Sequence, residues 1–284
     1  MVYFIFDMDE TLAELYSVYY FIRALHTYPN QKSMRNKKTA YNKFVEDILQ
    51  EEVSSKPLGI LRPGILDVMK QLNNLYKKNI IKGVIIYSNN GHLESLEFIR
   101  DLIHKYLVTD DLIKECIHWN HKMRSEERQL LTNKTWNVLR NIMIEGNCQA
   151  STTISPSDVF FFDDLDHIDL QEKLGNNYYK VPAYTFKASF DRISRIYMNA
   201  IIETAINVNM NRITTNVNEI HKYTSNTVNS STIPPRPDRG IELMFNAIHI
   251  VIHDMINNII NKVSQNGGKR RTTRFRRTRK SNKY

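Results

Sequence analysis

The chain has 284 residues, 42% of them hydrophobic and 24% charged, enough to build the core of one large or two modest domains and too apolar for wholesale disorder. Its formal net charge is +9, but nine Lys and Arg with no acid between them fall in Lys269–Lys283. Residues 1–268 are left with 30 basic against 30 acidic side chains, so the body has no electrostatic reason to bind a polyanion.

In chain order, Val2-Tyr-Phe-Ile-Phe6 reads as a short buried strand that ends in acids. Residues 12–57 read as a helical insert in two pieces. One stripe runs Leu12, Leu15, Tyr19, Ile22 and Leu25, the other Tyr41, Phe44, Val45, Ile48 and Leu49. A cationic loop from Pro29 to Lys38 parts them, and its Lys32, Arg35, Lys37 and Lys38 read as a solvated face or as a grip on an acidic substrate. Pro63 suits the first residue of a helix striped by Ile65, Val68, Met69, Leu72 and Tyr76.

Ile81 to Tyr87 is a second buried strand, broken by Ser88-Asn-Asn-Gly91, and a helix carries Leu93, Leu96, Ile99, Leu102, Ile103 and Tyr106. A short strand is expected at 115–119, a helix from Thr135 to Ile144, a third buried strand at Asp158–Phe162 and a fourth at Tyr178–Val181. This alternation predicts an α/β fold with a parallel sheet and helices on both faces. Beyond residue 190 the pattern is helical only. An appendage over 191–264 is divided by a Ser/Thr/Asn/Pro-rich linker at 224–240, and a basic tail at 265–284 has the composition of a disordered segment.

Three predicted strands end in carboxylate or hydroxyl residues: Asp7, Asp9 and Thr11; Ser88; Asp163 and Asp164. The carboxyl ends of strands in an open parallel sheet line one crevice, so these groups should converge there. Several carboxylates in one place repel unless a cation joins them, and hard oxygen donors favour Mg²⁺. An Asp beside such a cation can attack phosphorus.

With these residues in view, the chain resembles the haloacid-dehalogenase (HAD) superfamily of phosphatases. Phe4-Ile-Phe-Asp7-Met-Asp9-Glu-Thr11-Leu12 looks like motif I, Val84-Ile-Ile-Tyr-Ser88-Asn89 like motif II, and Val159-Phe-Phe-Phe-Asp163-Asp164 like motif IV, over about residues 1–185. The resemblance implies a Rossmann-like domain over 1–190 and an aspartyl-phosphate mechanism with Mg²⁺. Asp7 would be the nucleophile and Asp9 the acid and base, while Thr11 would brace the loop. Ser88 and Asn89 would bind the phosphoryl group, and Asp7, Asp9 (by its carbonyl), Asp163 and Asp164 would serve the metal. Lys134 fits the motif III lysine, with Lys122 as the second choice.

The Asp-Glu-Thr variant of motif I and Leu61-Arg-Pro-Gly-Ile-Leu look most like phosphatases of the RNA polymerase II C-terminal domain and their small relatives. That implies phosphoserine or phosphothreonine protein as substrate. The helical insert departs from that group and points instead to a small phosphate ester. A non-enzymatic scaffold built on the appendage and tail is the alternative of a different kind.

Other features read more plainly. His249 and His253 stand four apart without the Glu of a metalloprotease helix, and with Asn246 and Asn257 they form a polar stripe. Two cysteines, Cys116 and Cys148, exclude a disulfide framework and point to an intracellular setting, cytoplasm or nucleus. No apolar run approaches the ~18 residues of a membrane span, and Val2–Phe6 does not read as a signal peptide. The tail, 269–283, could hold nucleic acid through phosphate contacts that are sequence-tolerant and salt-sensitive. Its Gly-Gly-Lys-Arg-Arg-Thr start resembles C-termini of giant DNA virus proteins, which with 29 Asn suggests a viral source.

Overall fold

A computed structural model describes residues 2–27, 34–129, 134–145, 154–204 and 239–253. Five strands form one all-parallel sheet: β1 (Val2–Phe6), β2 (Ile81–Tyr87), β3 (Ile113–Ile117), β4 (Val159–Asp163) and β5 (Tyr178–Lys180). Their order is β3-β2-β1-β4-β5. The expected α/β class is therefore what the chain adopts. The third strand lies two residues earlier than the 115–119 of the sequence reading, which the Leu112 and Ile113 side chains explain by being buried.

The chain builds outward from β1 through β2 to β3, then crosses back to place β4 on the other side of β1. That reversal is a topological switch point, where the loops leaving β1 and β4 diverge and open a crevice at their carboxyl ends. In register, Phe6 lies beside Ile86 on β2 and Phe162 on β4, so Asp7 and Asp163 leave adjacent strands at the same level.

Aromatic side chains cover both faces of this platform. On one face Phe4, Phe6, Phe160, Phe162 and Tyr179 stack in a row, with ring centroids 4.9 Å apart for Phe6–Phe162 and 5.2 Å for Phe4–Phe160. On the other face Tyr3, Ile5, Ile85, Tyr87 and Phe161 pack with Trp136, Leu139, Ile142 and Met143 of α6 (Trp136–Glu145). α7 (Ile168–Leu174) adds Leu170 and Leu174 to that layer. α3 (Ile65–Lys77) and α4 (Leu93–Leu107) lie against β2 and β3. Gly83 is required where β2 slips register against β3: its φ is +145°, and a Cβ there would stand 2.7 Å from Cγ of Lys114. α3 starts at Ile65 behind a left-handed Gly64, two residues after the Pro63 that the sequence offered as its first residue.

The insert is helical, as α1 (Tyr16–Thr27) and α2 (Met34–Glu52). α2 rests on α4 through Phe44 and Phe98, 5.9 Å between centroids, and through a hydrogen bond from the Tyr41 hydroxyl to Asp101, 2.9 Å. α8 (Phe190–Thr204) packs against both insert helices: Tyr197 lies 5.1 Å from Phe21 and 6.3 Å from Phe44. Residues 190–204 thus share a core with the insert.

A further helix, α9, covers 239–253 with Ile241, Met244, Ala247, Ile248 and Val251 buried. Asn246, His249 and His253 are on its exposed side. Among the described residues no helix is long and apolar enough to cross a membrane. Most of the 224–240 linker, Lys32, Cys148, Asn257 and the 265–284 tail lie outside the described residues.

Candidate active site

Asp7 leaves β1 with its amide donating to the Phe162 carbonyl of β4, 2.8 Å, which ties the two strand ends together. The chain then turns at once: the amides of Leu12 and Ala13 both donate to the Met8 carbonyl, at 2.9 and 3.1 Å, with Glu10 in the left-handed region at φ 58°. This turn aims Asp7, Asp9 and Thr11 into the crevice. It is clamped from behind by Arg62, 1% exposed, whose guanidinium donates to the Thr11 carbonyl, 2.8 Å, and to the Pro182 carbonyl. The Tyr184 amide donates to the Glu10 carbonyl, 2.7 Å.

Lys134 enters from the segment before α6 and is 1% exposed. Its ammonium lies between two carboxylates, 2.5 Å from Oδ1 of Asp7 and 2.6 Å from Oδ2 of Asp163. Asp163 is fully buried, takes the Leu165 amide at 2.9 Å, and meets Nε2 of the equally buried His167 at 3.0 Å. Asp164 accepts from the Thr11 hydroxyl, 3.2 Å. Carboxylate oxygens of Asp7, Asp163 and Asp164 all lie within 4.8 Å of one another, a group that could hold a metal ion.

Asp9 is tied to the loop after β2. Its Oδ2 accepts from the Ser88 hydroxyl and from the Asn90 amide group, each at 3.2 Å. Ser88 also takes the Asn90 backbone amide on its hydroxyl, 3.0 Å, so the loop after β2 folds around this side chain.

The electrostatics follow from one ammonium set among four buried or half-buried acids. Burial pushes the Asp7 carboxyl well above the usual range, against the pull of Lys134. Burial also raises Asp9, opposed by the hydrogen bonds from Asn90 and Ser88. Asp164 is raised by burial and then by the charge of Asp163. Burial would raise Asp163 too, but the Lys134 charge and the His167 hydrogen bond hold it below its ordinary value. Lys134 would be depressed by burial, yet its two carboxylate partners keep it above. Burial and mutual repulsion thus oppose ionisation across the cluster, while Lys134 favours it most at Asp163.

Of the residues singled out from sequence, Asp7, Asp9, Thr11, Ser88, Lys134, Asp163 and Asp164 meet in this crevice through the contacts above, and Asn89, Lys122 and the Asp9 carboxylate need three distinctions. Asn89 does not point at Asp9; its side-chain oxygen takes a hydrogen bond from Arg124, 2.6 Å, and Asn90 is the amide that reaches Asp9. Lys122, the second choice for the motif III lysine, is exposed on a short 3₁₀ turn, Lys122–Arg124, while Lys134 is in the cluster. Asp9's carboxylate is outside the group of three that could hold a metal.

Sequence reasoning missed Arg62, Asn90, Arg124, Glu127 and His167. Arg124, 0% exposed, and Glu127, 1% exposed, are the extreme case: they occupy a polar stretch whose composition is that of a solvated loop. Cys116 is buried with its thiol pushed up to about 12 by burial, the environment of an unreactive cysteine.

The mouth of the crevice is bordered by the insert. The Tyr19 hydroxyl of α1 meets Nε2 of His92 at 2.9 Å, and the His92 amide donates to the Asn90 side chain at 2.8 Å. Tyr16 and Tyr20 meet edge to face, and Nζ of Lys187 lies 5.4 Å from the Tyr16 ring centroid. Compared with known proteins, the chain matches no family model, no curated protein and no solved structure.

Proposed function

We propose that the protein is a Mg²⁺-dependent phosphomonoesterase of the HAD type that works through an aspartyl phosphate on Asp7. The observation that carries this reading is the convergence, at the switch point of a parallel sheet, of Asp7, Asp163 and Asp164 around Lys134. Phosphoryl transfer asks chiefly for positioning and charge neutralisation, and this crevice is built from those two elements. Asp7, Asp163 and Asp164 are hard oxygen donors that fit Mg²⁺, and Lys134 alone leaves their charge uncompensated. When bound, the cation would neutralise the phosphoryl oxygens and keep Asp7 ionised.

The side chains supply the rest. A carboxylate oxygen of Asp7 attacks phosphorus as the ester P–O bond breaks, and the departing alkoxide takes the proton of the Asp9 carboxyl. Asp9, now ionised, removes a proton from water; the resulting hydroxide attacks phosphorus, the Asp7–phosphorus bond breaks, and orthophosphate leaves. Ser88 and Asn90, which hydrogen-bond the Asp9 carboxylate, would orient it for both proton transfers. With substrate bound, the Ser88 hydroxyl would turn from Asp9 and the Lys134 ammonium from Asp163 to meet the phosphoryl oxygens, as the resemblance implies.

The substrate we propose is phosphoserine or phosphothreonine in protein, on the likeness of motif I and of Leu61–Leu66 to phosphatases of that class. A small phosphate ester is the second reading, favoured by the helical insert whose Tyr19 and His92 border the crevice. The basic tail is proposed as a non-specific nucleic-acid contact.

The test is hydrolysis of 4-nitrophenyl phosphate, followed by phosphopeptides and sugar phosphates. Turnover should require Mg²⁺, vanish with EDTA, and fall by at least about 10³-fold in Asp7→Asn without loss of fold. Turnover that survives in Asp7→Asn would rule the mechanism out.

A further inference from the structure

Arg124 and Glu127 touch none of the four acids, yet they are the most completely buried ion pair outside the cluster among the described residues, with Nε of Arg124 2.6 Å from Oε2 of Glu127. Arg124 ends the 3₁₀ turn and Glu127 lies one helical turn on, in α5 (Ser125–Gln129), so the spacing that makes the pair is local. Their other contacts are not local. One guanidinium nitrogen donates to the Ser88 carbonyl, 2.6 Å, and the other to the Asn89 side-chain oxygen, 2.6 Å. The guanidinium carbon also lies 4.6 Å from the ring centroid of Tyr87 and 4.9 Å from that of Trp119.

Glu127 reaches the opposite way. Its Oε1 accepts from the Tyr87 hydroxyl at 2.7 Å, from the Thr135 amide at 2.7 Å and from the Thr135 hydroxyl at 3.0 Å. Thr135 follows Lys134 directly. The pair thus joins the carbonyl of Ser88, on the loop after β2, to the amide next to Lys134, ahead of α6. These are the two segments that carry the phosphoryl-facing hydroxyl and ammonium.

Stability alone is a poor reason for such a pair. A buried ion pair is commonly matched or surpassed in stability by well-packed apolar side chains, because both charges lose their water. What apolar side chains cannot do is fix two backbone segments by directed hydrogen bonds at both ends of one rigid unit.

We propose that Arg124 and Glu127 are positioning residues that together set where the Ser88 hydroxyl and the Lys134 ammonium stand relative to Asp7. The proposal rests on the phosphoryl-transfer reading above. Since the pair is buried away from solvent and touches none of the four acids, it acts on the transition state through Ser88 and Lys134 and leaves ground-state binding largely alone.

The decisive variant is Glu127→Gln. It preserves shape and an oxygen for Tyr87 and Thr135, but sets an amide N–H₂ against the N–H of Arg124. With 4-nitrophenyl phosphate and Mg²⁺, kcat should drop about 10–100-fold while KM stays within about threefold, as for a misplacement of order 1 Å. Tyr87→Phe, which removes a single hydrogen bond from the same network, should show the same split more mildly and serves if Glu127→Gln does not fold. Arg124→Ala should regain part of its kcat in non-denaturing guanidinium, and Arg124→Lys should not substitute for arginine. A folded Glu127→Gln or Tyr87→Phe with unchanged kcat, or one that alters KM alone, would overturn the proposal. An inactive wild-type protein would instead remove the phosphoryl-transfer reading beneath it.

Discussion

At the scale of single residues, the crevice is governed by how far burial moves each carboxyl and what opposes it. Glu14, just past the motif I turn, shows this away from the cluster. One of its oxygens takes the Tyr16 amide at 3.0 Å, the other is buried without a hydrogen-bond partner, and burial pushes the group up to about 7. An acid whose folded value lies above its unfolded value of 4.5 binds more protons when folded. Its contribution therefore favours the fold at low pH and is progressively lost as pH rises from about 4.5 through 7. Glu14→Gln should then be more stable than wild type at pH 8, by roughly 2–3 kcal/mol, with the gap closing toward pH 5. Thermal melts across that range check this; equal melting temperatures at pH 8 would contradict it.

The residue scale also shows what a sequence exposes. Asp7, Asp9, Ser88 and Asp163 were legible because each ends an apolar run, and a polar side chain that ends a buried strand lies at the strand's carboxyl end, where the crevice opens. Lys134 was legible through the resemblance, as the lysine before a helix. Arg124, Glu127 and His167 carry no such mark, since their burial arises from tertiary folding of a polar stretch. Asn89 and Asn90 are adjacent and chemically identical, so only the turn decides which one faces Asp9.

At the scale of elements, the strands were readable because each is a short apolar run bounded by polar residues. Their order in the sheet was not, since long-range pairing leaves no local trace. The helical insert was equally plain from its 3.6-residue stripes. What those stripes pack against was not: α8, read from sequence as part of an appendage, completes a core with α1 and α2. Tyr197 is the centre of that contact, fully buried between Phe21 and Phe44. Tyr197→Ala should lower the unfolding free energy by about 3–5 kcal/mol, the range for a large aromatic side chain removed from a core. Chemical denaturation measures it, and a loss under about 1 kcal/mol would mean that α8 is not integral to this core.

At the scale of the molecule, the charge is divided between a formally neutral body and a basic segment at 269–283. The crevice is therefore a local concentration of acid in a neutral surround, an arrangement that attracts a cation without drawing on the net charge. The sheet concentrates that acid in one place by bringing the ends of β1 and β4 side by side at the switch point, with Lys134 reaching in from α6's leading segment.

The proposed chemistry hinges on a covalent bond between phosphorus and Asp7, which can be trapped. The protein would be mixed with a phosphomonoester and Mg²⁺, quenched in acid within a turnover, digested and mapped by mass spectrometry. An acid-stable, hydroxylamine-labile phosphate is expected on the peptide that contains Asp7, absent with EDTA and absent in Asp7→Asn. Turnover with no phosphoryl group on that peptide, or with one on another residue, would contradict it.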